Sequence, residues 1–180
     1  MPRVARASGQ RVAAVTRLMI HKSRMTQTRA ELVTDFVQDV LAREGAAWVS
    51  AASSSMAPLI QSGDELCLAP PQAGRVRAGA VIAFRRGGEL VVHRVVRRGP
   101  AGVVTRGDAL PAADAPVPWS DVVARVAAIR TPRGRLLDLD RRPWPLIGRG
   151  LAAVARLGAP NRLAWIARRA PFHLAALVSR

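Results

Sequence analysis

The segment "AVIAFRRGGELVVHRVVR", residues 80–97, decides the fold class. Two runs rich in β-branched residues flank Gly87-Gly88, with arginines and a glutamate at the turn. Paired glycines between apolar runs signal a tight hairpin, because the favoured two-residue turns need backbone angles that glycine adopts readily. Runs of the same kind lie on both sides: "WVSAAS" and "ELCLA" before it, "GVVTRG", "DVVARVAAIR" and "GRLLDL" after it. Turn signals such as "QSGD", "PPQAG" and "RRGPAG" separate them. Many short strands joined by tight turns imply a mainly β, antiparallel domain over residues 46–140. The proline-rich stretch "DALPAADAPVPWSD", 108–121, reads as an irregular loop inside it.

Outward from this region the period changes to helical. Over 28–44, Leu32, Val33, Phe36, Val40 and Leu41 recur at helix spacing, Arg43 falls in the last turn and Gly45 marks a stop. After "RRPWP", Leu146, Ile147, Leu151, Val154 and Leu157 share one face and Arg149 and Arg156 another. Pro160-Asn161 breaks the chain, and "RLAWIARRAPFHLAALVSR" reads as a second short basic amphipathic helix interrupted by Pro171. The expected organisation is a basic arm at 1–25, a folded domain at 26–140 with its helix at 28–44, and a basic helical extension at 141–180. Met25 is an alternative start.

Charge divides along the same lines. The chain has 180 residues and a formal charge of +16. Residues 1–30 carry seven Lys or Arg and no acid, and residues 141–180 carry eight Arg and no acid. All 12 acids lie in 31–140, beside 28 − 15 = 13 basic residues, so the middle nets about +1. Basic ends favour anionic surfaces. Two readings of the C-terminal helices stay open: apolar faces docked on the β domain, or faces laid on a membrane. No window of 18 uninterrupted apolar residues predicts a membrane span, and "RVAAVTRLMIHKSR" lacks the apolar core of a signal peptide. The expected location is cytoplasmic, with peripheral membrane contact as an addition. The lone Cys67 excludes an internal disulfide.

A serine hydroxyl cannot attack an amide unaided, so a nucleophile needs a base beside it. Within the folded middle there is one histidine, His93, and no lysine; His21 and His173 sit in the flanks. Some carboxylates are the other candidate bases there; if a serine among Ser53-Ser54-Ser55 is catalytic, His93 is almost forced as the base. A histidine base needs an acceptor that fixes its tautomer. Asp108 and Asp114, in the stiff proline-rich loop, are the natural suppliers. Each residue also has a plain structural reading: a solvated turn for the serines, a half-exposed strand position for the histidine, turn chemistry for the aspartates. One Cys and three dispersed His make no metal site, no Gly-rich phosphate loop appears, and no cofactor is expected.

The order of these pieces is more informative than any one of them. Ser53-Ser54-Ser55-Met56-Ala57-Pro58 is followed by Gly63-Asp64, Gly79 before "VIAF", "VVHRVV" and "TRGDALPAAD". This series resembles the signal peptidase family in its serine–histidine branch, typical of archaea and the endoplasmic reticulum, over about residues 47–130. The resemblance implies a compact antiparallel β peptidase domain with Ser55 as nucleophile and His93 as general base. Asp114 would match the family's catalytic Asp, and Asp108 would order the loop or the histidine. The Ser55 backbone N–H and the Ser53 hydroxyl would form an oxyanion hole. Met56 and Pro58 would set the turn. The bacterial branch, and the self-cleaving repressors related to it, use a Lys where this chain has His93. Departures are Ser54 for the motif's Gly, Gly79-Ala80 for a second Gly-Asp, and "GDAL" for "GDNN". The usual membrane-spanning helix is not seen, which leaves the substrate open.

The expected function is therefore a serine endopeptidase cleaving a peptide or precursor protein. The alternatives are a non-catalytic peptide-binding module of the same fold, or a nucleic-acid binder driven by the basic ends. The few aromatics and the lack of a helix-turn-helix or zinc spacing weigh against the last.

Overall fold

A computed structural model describes residues 29–157. The basic arm, Met25, His21, His173 and the second C-terminal helix lie outside the described residues. Helix α1, Arg29–Glu44, leads into eight strands: β1 Ala47–Ser50, β2 Glu65–Ala69, β3 Val81–Arg86, β4 Glu89–Arg98, β5 Gly102–Arg106, β6 Val117–Pro118, β7 Val122–Arg130 and β8 Leu136–Asp138. Helix α2, Trp144–Arg156, follows. The fold is mainly antiparallel β with a helix at each end, as the strand pattern implies. The 108–121 stretch is less irregular than expected, because β6 pairs with β5 and a 3-10 turn, Trp119–Asp121, closes it.

The strands form one sheet in the order β1-β2-β7-β3-β4-β5-β6, with β8 also paired to β7. The quoted hairpin is β3–β4. Its register runs from Val81 opposite Arg94 to Arg86 opposite Glu89, and Gly87 and Gly88 turn with φ of 56° and 81°. Both angles are positive, the type I′ requirement that selected two glycines. Register shifts at Cys67/Leu68, Ala83/Phe84 and Val95/Arg97 mark bulges, which bend the strands and raise their twist.

Alternation along β3 and β4 feeds two cores. Val81 and Ala83 join Leu66, Leu68, Met56, Val126 and Ile129 on one side. Ile82 and Phe84 join Val76, Val95, Val103, Val117 and Val122 on the other. In α1 the face against the sheet is not the one the densest apolar spacing suggests. Thr34, Val37 and Leu41 are buried, while Leu32, Val33 and Phe36 stay exposed. The buried set follows an i, i+3, i+7 stripe, so Thr34 occupies a core position that a count of apolar residues passes over.

The inner face of α2 also departs from expectation. Trp144, Gly148, Leu151 and Ala152 are buried, and Leu146 and Leu157 are exposed. Gly148 decides this. A Cβ on it would lie 2.4 Å from the Gly79 carbonyl oxygen, and a Cβ on Gly79 would lie 2.5 Å from the Arg149 nitrogen. Only a glycine pair lets the helix backbone approach this closely, and the contact fixes which side of α2 turns inward. Gly79 also has φ of 95°, where a side chain is strained.

Candidate active site

Ser53, Ser54 and Ser55 lie in the connection between β1 and β2. The connection is tied at both ends. Ala51 donates its N–H to the Asp64 carbonyl at 2.8 Å, and Gly63 donates to the Ala51 carbonyl at 2.9 Å. The buried Asp64 carboxylate accepts the Gln61 N–H at 2.8 Å. The "GD" of the motif therefore closes the turn that carries the serines. Ser54, which stands where the related motif has glycine, accepts the Ser62 N–H on its hydroxyl at 3.2 Å. No described non-glycine residue has positive φ. Ser54 therefore fits the turn without backbone strain and supplies a brace that glycine lacks.

Met56 and Ser55 grip the next part of the site. Met56 is 2% exposed, and its sulfur accepts the Asp108 N–H at 3.4 Å. The Ser55 carbonyl accepts the Ala109 N–H at 2.9 Å. A Cβ on Gly107 would lie 2.8 Å from that same carbonyl, so the serine turn rests directly on the end of β5. Arg94 pairs with Arg106 across β4 and β5. Gly107 follows directly on this pair, so the serine turn meets the end of β5 one residue beyond the partner of Arg94, the neighbour of His93 on β4.

His93 is 2% exposed and lies beside Phe84, with ring centroids 6.1 Å apart. Its Nδ1 is 2.7 Å from Asp114 Oδ2. Asp114 is held from several sides. Its N–H donates to the Thr105 carbonyl at 2.8 Å, and the Thr105 hydroxyl donates to Oδ2 at 2.7 Å. Arg86 Nη1 donates to Oδ1 at 2.7 Å. Burial pushes the Asp114 carboxyl up, but the bonds from Thr105, His93 and Arg86 outweigh it and hold the group below its ordinary value of 3.8. Asp114 is therefore an ionised acceptor at neutral pH. An ionised acceptor on Nδ1 assigns the proton to that nitrogen and leaves Nε2 as the basic one. Nε2 makes no hydrogen bond among the described residues.

Asp108 pairs with Arg94 and not with His93. Its carboxylate receives Arg94 Nε at 2.8 Å and Arg94 Nη2 at 2.6 Å, a buried bidentate pair. Arg94 Nη1 also donates to the Gly79 carbonyl at 2.8 Å. His93 and Arg94 are consecutive on β4 and leave opposite faces of the sheet. Asp108 thus orders its loop through Arg94, and Asp114 is the carboxylate hydrogen-bonded to His93 among the described residues. The serine side is looser. The Ser53 hydroxyl donates to Ser55 Oγ at 3.4 Å, and no hydrogen bond joins Ser55 to His93 among the described residues. The Ser55 backbone N–H is likewise without an acceptor among them.

Sequence reasoning passed over Arg86, Thr105 and Arg94. Arg86 ends the first arm of the hairpin and reads as a solvated turn charge. Thr105 looks like an ordinary strand residue two places before "GD", and only the β5 register aims it at Asp114. Among the described residues no group of three or more His, Cys, Asp or Glu could hold a metal ion.

The sequence model of one family, described as Peptidase S24-like, matches residues 12–105, more than half of the chain. The chain belongs to the Peptidase S24-like family. The matched span of this S24-like chain contains Ser53, Ser55 and His93 and ends before Asp108 and Asp114. The mainly antiparallel β architecture is consistent with an S24-like domain, and the family is in general one of serine peptidases. No curated protein and no solved structure matched the chain.

Proposed function

We propose that this S24-like protein is a serine endopeptidase that cleaves a peptide or precursor protein by a Ser55-His93-Asp114 mechanism. The observation that carries the reading is the His93–Asp114 pair at 2.7 Å, with the carboxylate held ionised. A buried imidazole with its proton fixed on Nδ1 is prepared to act as a base through Nε2. Such a pair needs a nucleophile, and the serine turn is seated on the adjoining strand end.

In this mechanism Nε2 takes the Ser55 hydroxyl proton as Oγ attacks the scissile carbonyl carbon. Charge moves to the carbonyl oxygen, where the Ser55 N–H and the Ser53 hydroxyl are available as donors. Collapse breaks the C–N bond, and His93 returns the proton to the leaving amine. Water, deprotonated by the same nitrogen, then releases the acyl group and restores Ser55. Asp114 stays ionised throughout and steadies the imidazolium. The Ser55–His93 contact forms as substrate binds, a tightening common in hydrolases whose free form is loose at this bond.

His93 in place of the repressors' lysine, with no lysine in the folded middle, favours the serine–histidine branch of signal-peptidase chemistry. Among the described residues no helix is long and apolar enough to cross a membrane. Peripheral contact through the basic C-terminal segment belongs to the same proposal.

The second reading, a peptide-binding module without turnover, is favoured by the one bond not made, Ser55 to His93. A fluorophosphonate probe separates the two. Covalent labelling of wild type, lost in Ser55→Ala and reduced at least about a hundredfold in His93→Ala, is the peptidase outcome. Wild type that resists labelling while still binding peptide is the module outcome.

A further inference from the structure

Across the sheet from His93, on the side that Arg94 faces, a cavity of about 490 Å³ opens between the entry to β3, β7 and the start of α2. That volume suits a small ligand. Ser55, His93 and Asp114 are not in its walls. Four guanidiniums are: Arg75, Arg77, Arg94 and Arg125. Two carboxylates offset them. Asp140, also in the wall, is shared by Arg75 at 3.1 Å and Arg125 at 2.8 Å, and Asp108 pairs with Arg94 at 2.6 Å. Four arginines less two aspartates leave a charge near +2 around one concavity.

Arg94 is fully engaged by Asp108 and the Gly79 carbonyl, but Arg77 and Arg125 are not used up by these pairs. Arg77 makes no ion pair among the described residues. Arg125 spends only Nη1 on Asp140, donating to its two oxygens at 2.8 and 2.9 Å. Its Nε is buried without a partner. A buried donor left unmade is rare and calls for an explanation. Nε and Nη2 form the edge that a guanidinium offers to a phosphate through two parallel bonds. The N-terminal end of α2 reaches the same cavity through Trp144 and Pro145, with no acid in its first turn, so the helix dipole adds to the positive field.

We propose that this cavity binds a phosphate-bearing ligand, with the dianionic group among Arg75, Arg77 and Arg125 and the remainder against Leu59, Trp144 and Ile147. The phosphate belongs either to a soluble phosphate monoester or to the headgroup of a lipid. The site does not depend on the peptidase reading, and Ser55→Ala retains it.

Full-length protein is titrated with glycerol 3-phosphate, and separately with phosphatidylcholine vesicles with and without phosphatidate. The site predicts a saturable rise in melting temperature with the soluble ester, or saturable partition onto phosphatidate vesicles. Arg77→Gln weakens that response about tenfold or more. Its side chain is exposed and unpaired, so the variant keeps its fold, which its melting temperature without ligand checks. Arg98→Gln, an equal loss of charge outside the cavity, leaves the response unchanged. A response to the soluble ester assigns a free phosphate, and a response to vesicles alone assigns a headgroup. Equal weakening by both variants, or no saturable response to either probe, overturns the site.

Discussion

Asp114 and its three donors are the most tightly bonded part of the candidate site at the residue scale. Arg86 reaches Asp114 Oδ1 while Thr105 and His93 share Oδ2, each at 2.7 Å. In the proposed mechanism Arg86 is a positioning residue: it orients the carboxylate, and its charge opposes protonation of the pair. In Arg86→Gln the carboxylate loses a partner and the local field becomes more negative. The acidic limb of the kcat/KM profile is then expected to move to higher pH, with a fall in kcat and little change in KM. A change confined to KM would place Arg86 in substrate binding instead. Arg94 and Asp108 make a different prediction. Arg94→Met leaves a carboxylate buried without its cation, which costs about 3–5 kcal/mol. Urea unfolding of that variant measures the loss, and Arg94→Met/Asp108→Leu, which removes both charges, is expected to recover most of it. His93 was legible in the sequence because the folded middle holds no other histidine and no lysine. Arg86 was not, because its partner lies 28 residues away on a loop whose course no local pattern reveals.

Helix α2 shows how one small residue orients an element. Ala is intrinsically better than Gly inside a helix by about 1 kcal/mol. Gly150 faces open space, with nothing within 4 Å of an added Cβ. Gly150→Ala is therefore expected to stabilise by about 0.5–1 kcal/mol. Two residues earlier the sign reverses. At Gly148 the Cβ would meet the Gly79 backbone at 2.4 Å, and overpacking of about 1–3 kcal/mol exceeds the propensity gain. Gly148→Ala is expected to be destabilised, and denaturant midpoints of the two variants test the reversal. A shared sign would mean that the Gly79 contact does not hold α2. The period of α2 is plain in the sequence. Its inward face is not, since Leu146 and Leu157 outrank Gly148 on any scale of hydrophobicity yet lie in solvent.

Stability of the whole molecule is linked to pH through the same carboxylate. The folded-state pKa of Asp114 is depressed, so its contribution is present above the unfolded value of about 3.9 and is lost as pH falls through the lower folded value. Wild type is expected to lose melting temperature more steeply than Asp114→Asn as pH is lowered from about 4. Parallel slopes in that window would mean that the carboxylate gains nothing on folding. Antiparallel class, the β3–β4 hairpin and the helix at each end were set by the sequence alone, because periodicity and turn glycines act within a few residues; β6, two residues inside the proline-rich stretch, was not. The same holds for the candidate serine and histidine, which short motifs carry. Tertiary structure decided which aspartate serves His93, that Asp108 belongs to Arg94, that Ser54 braces its turn, and where arginines from separate segments gather into one cavity. These depend on register and on which strands become neighbours, and contacts between distant segments are specified only when the whole sheet closes.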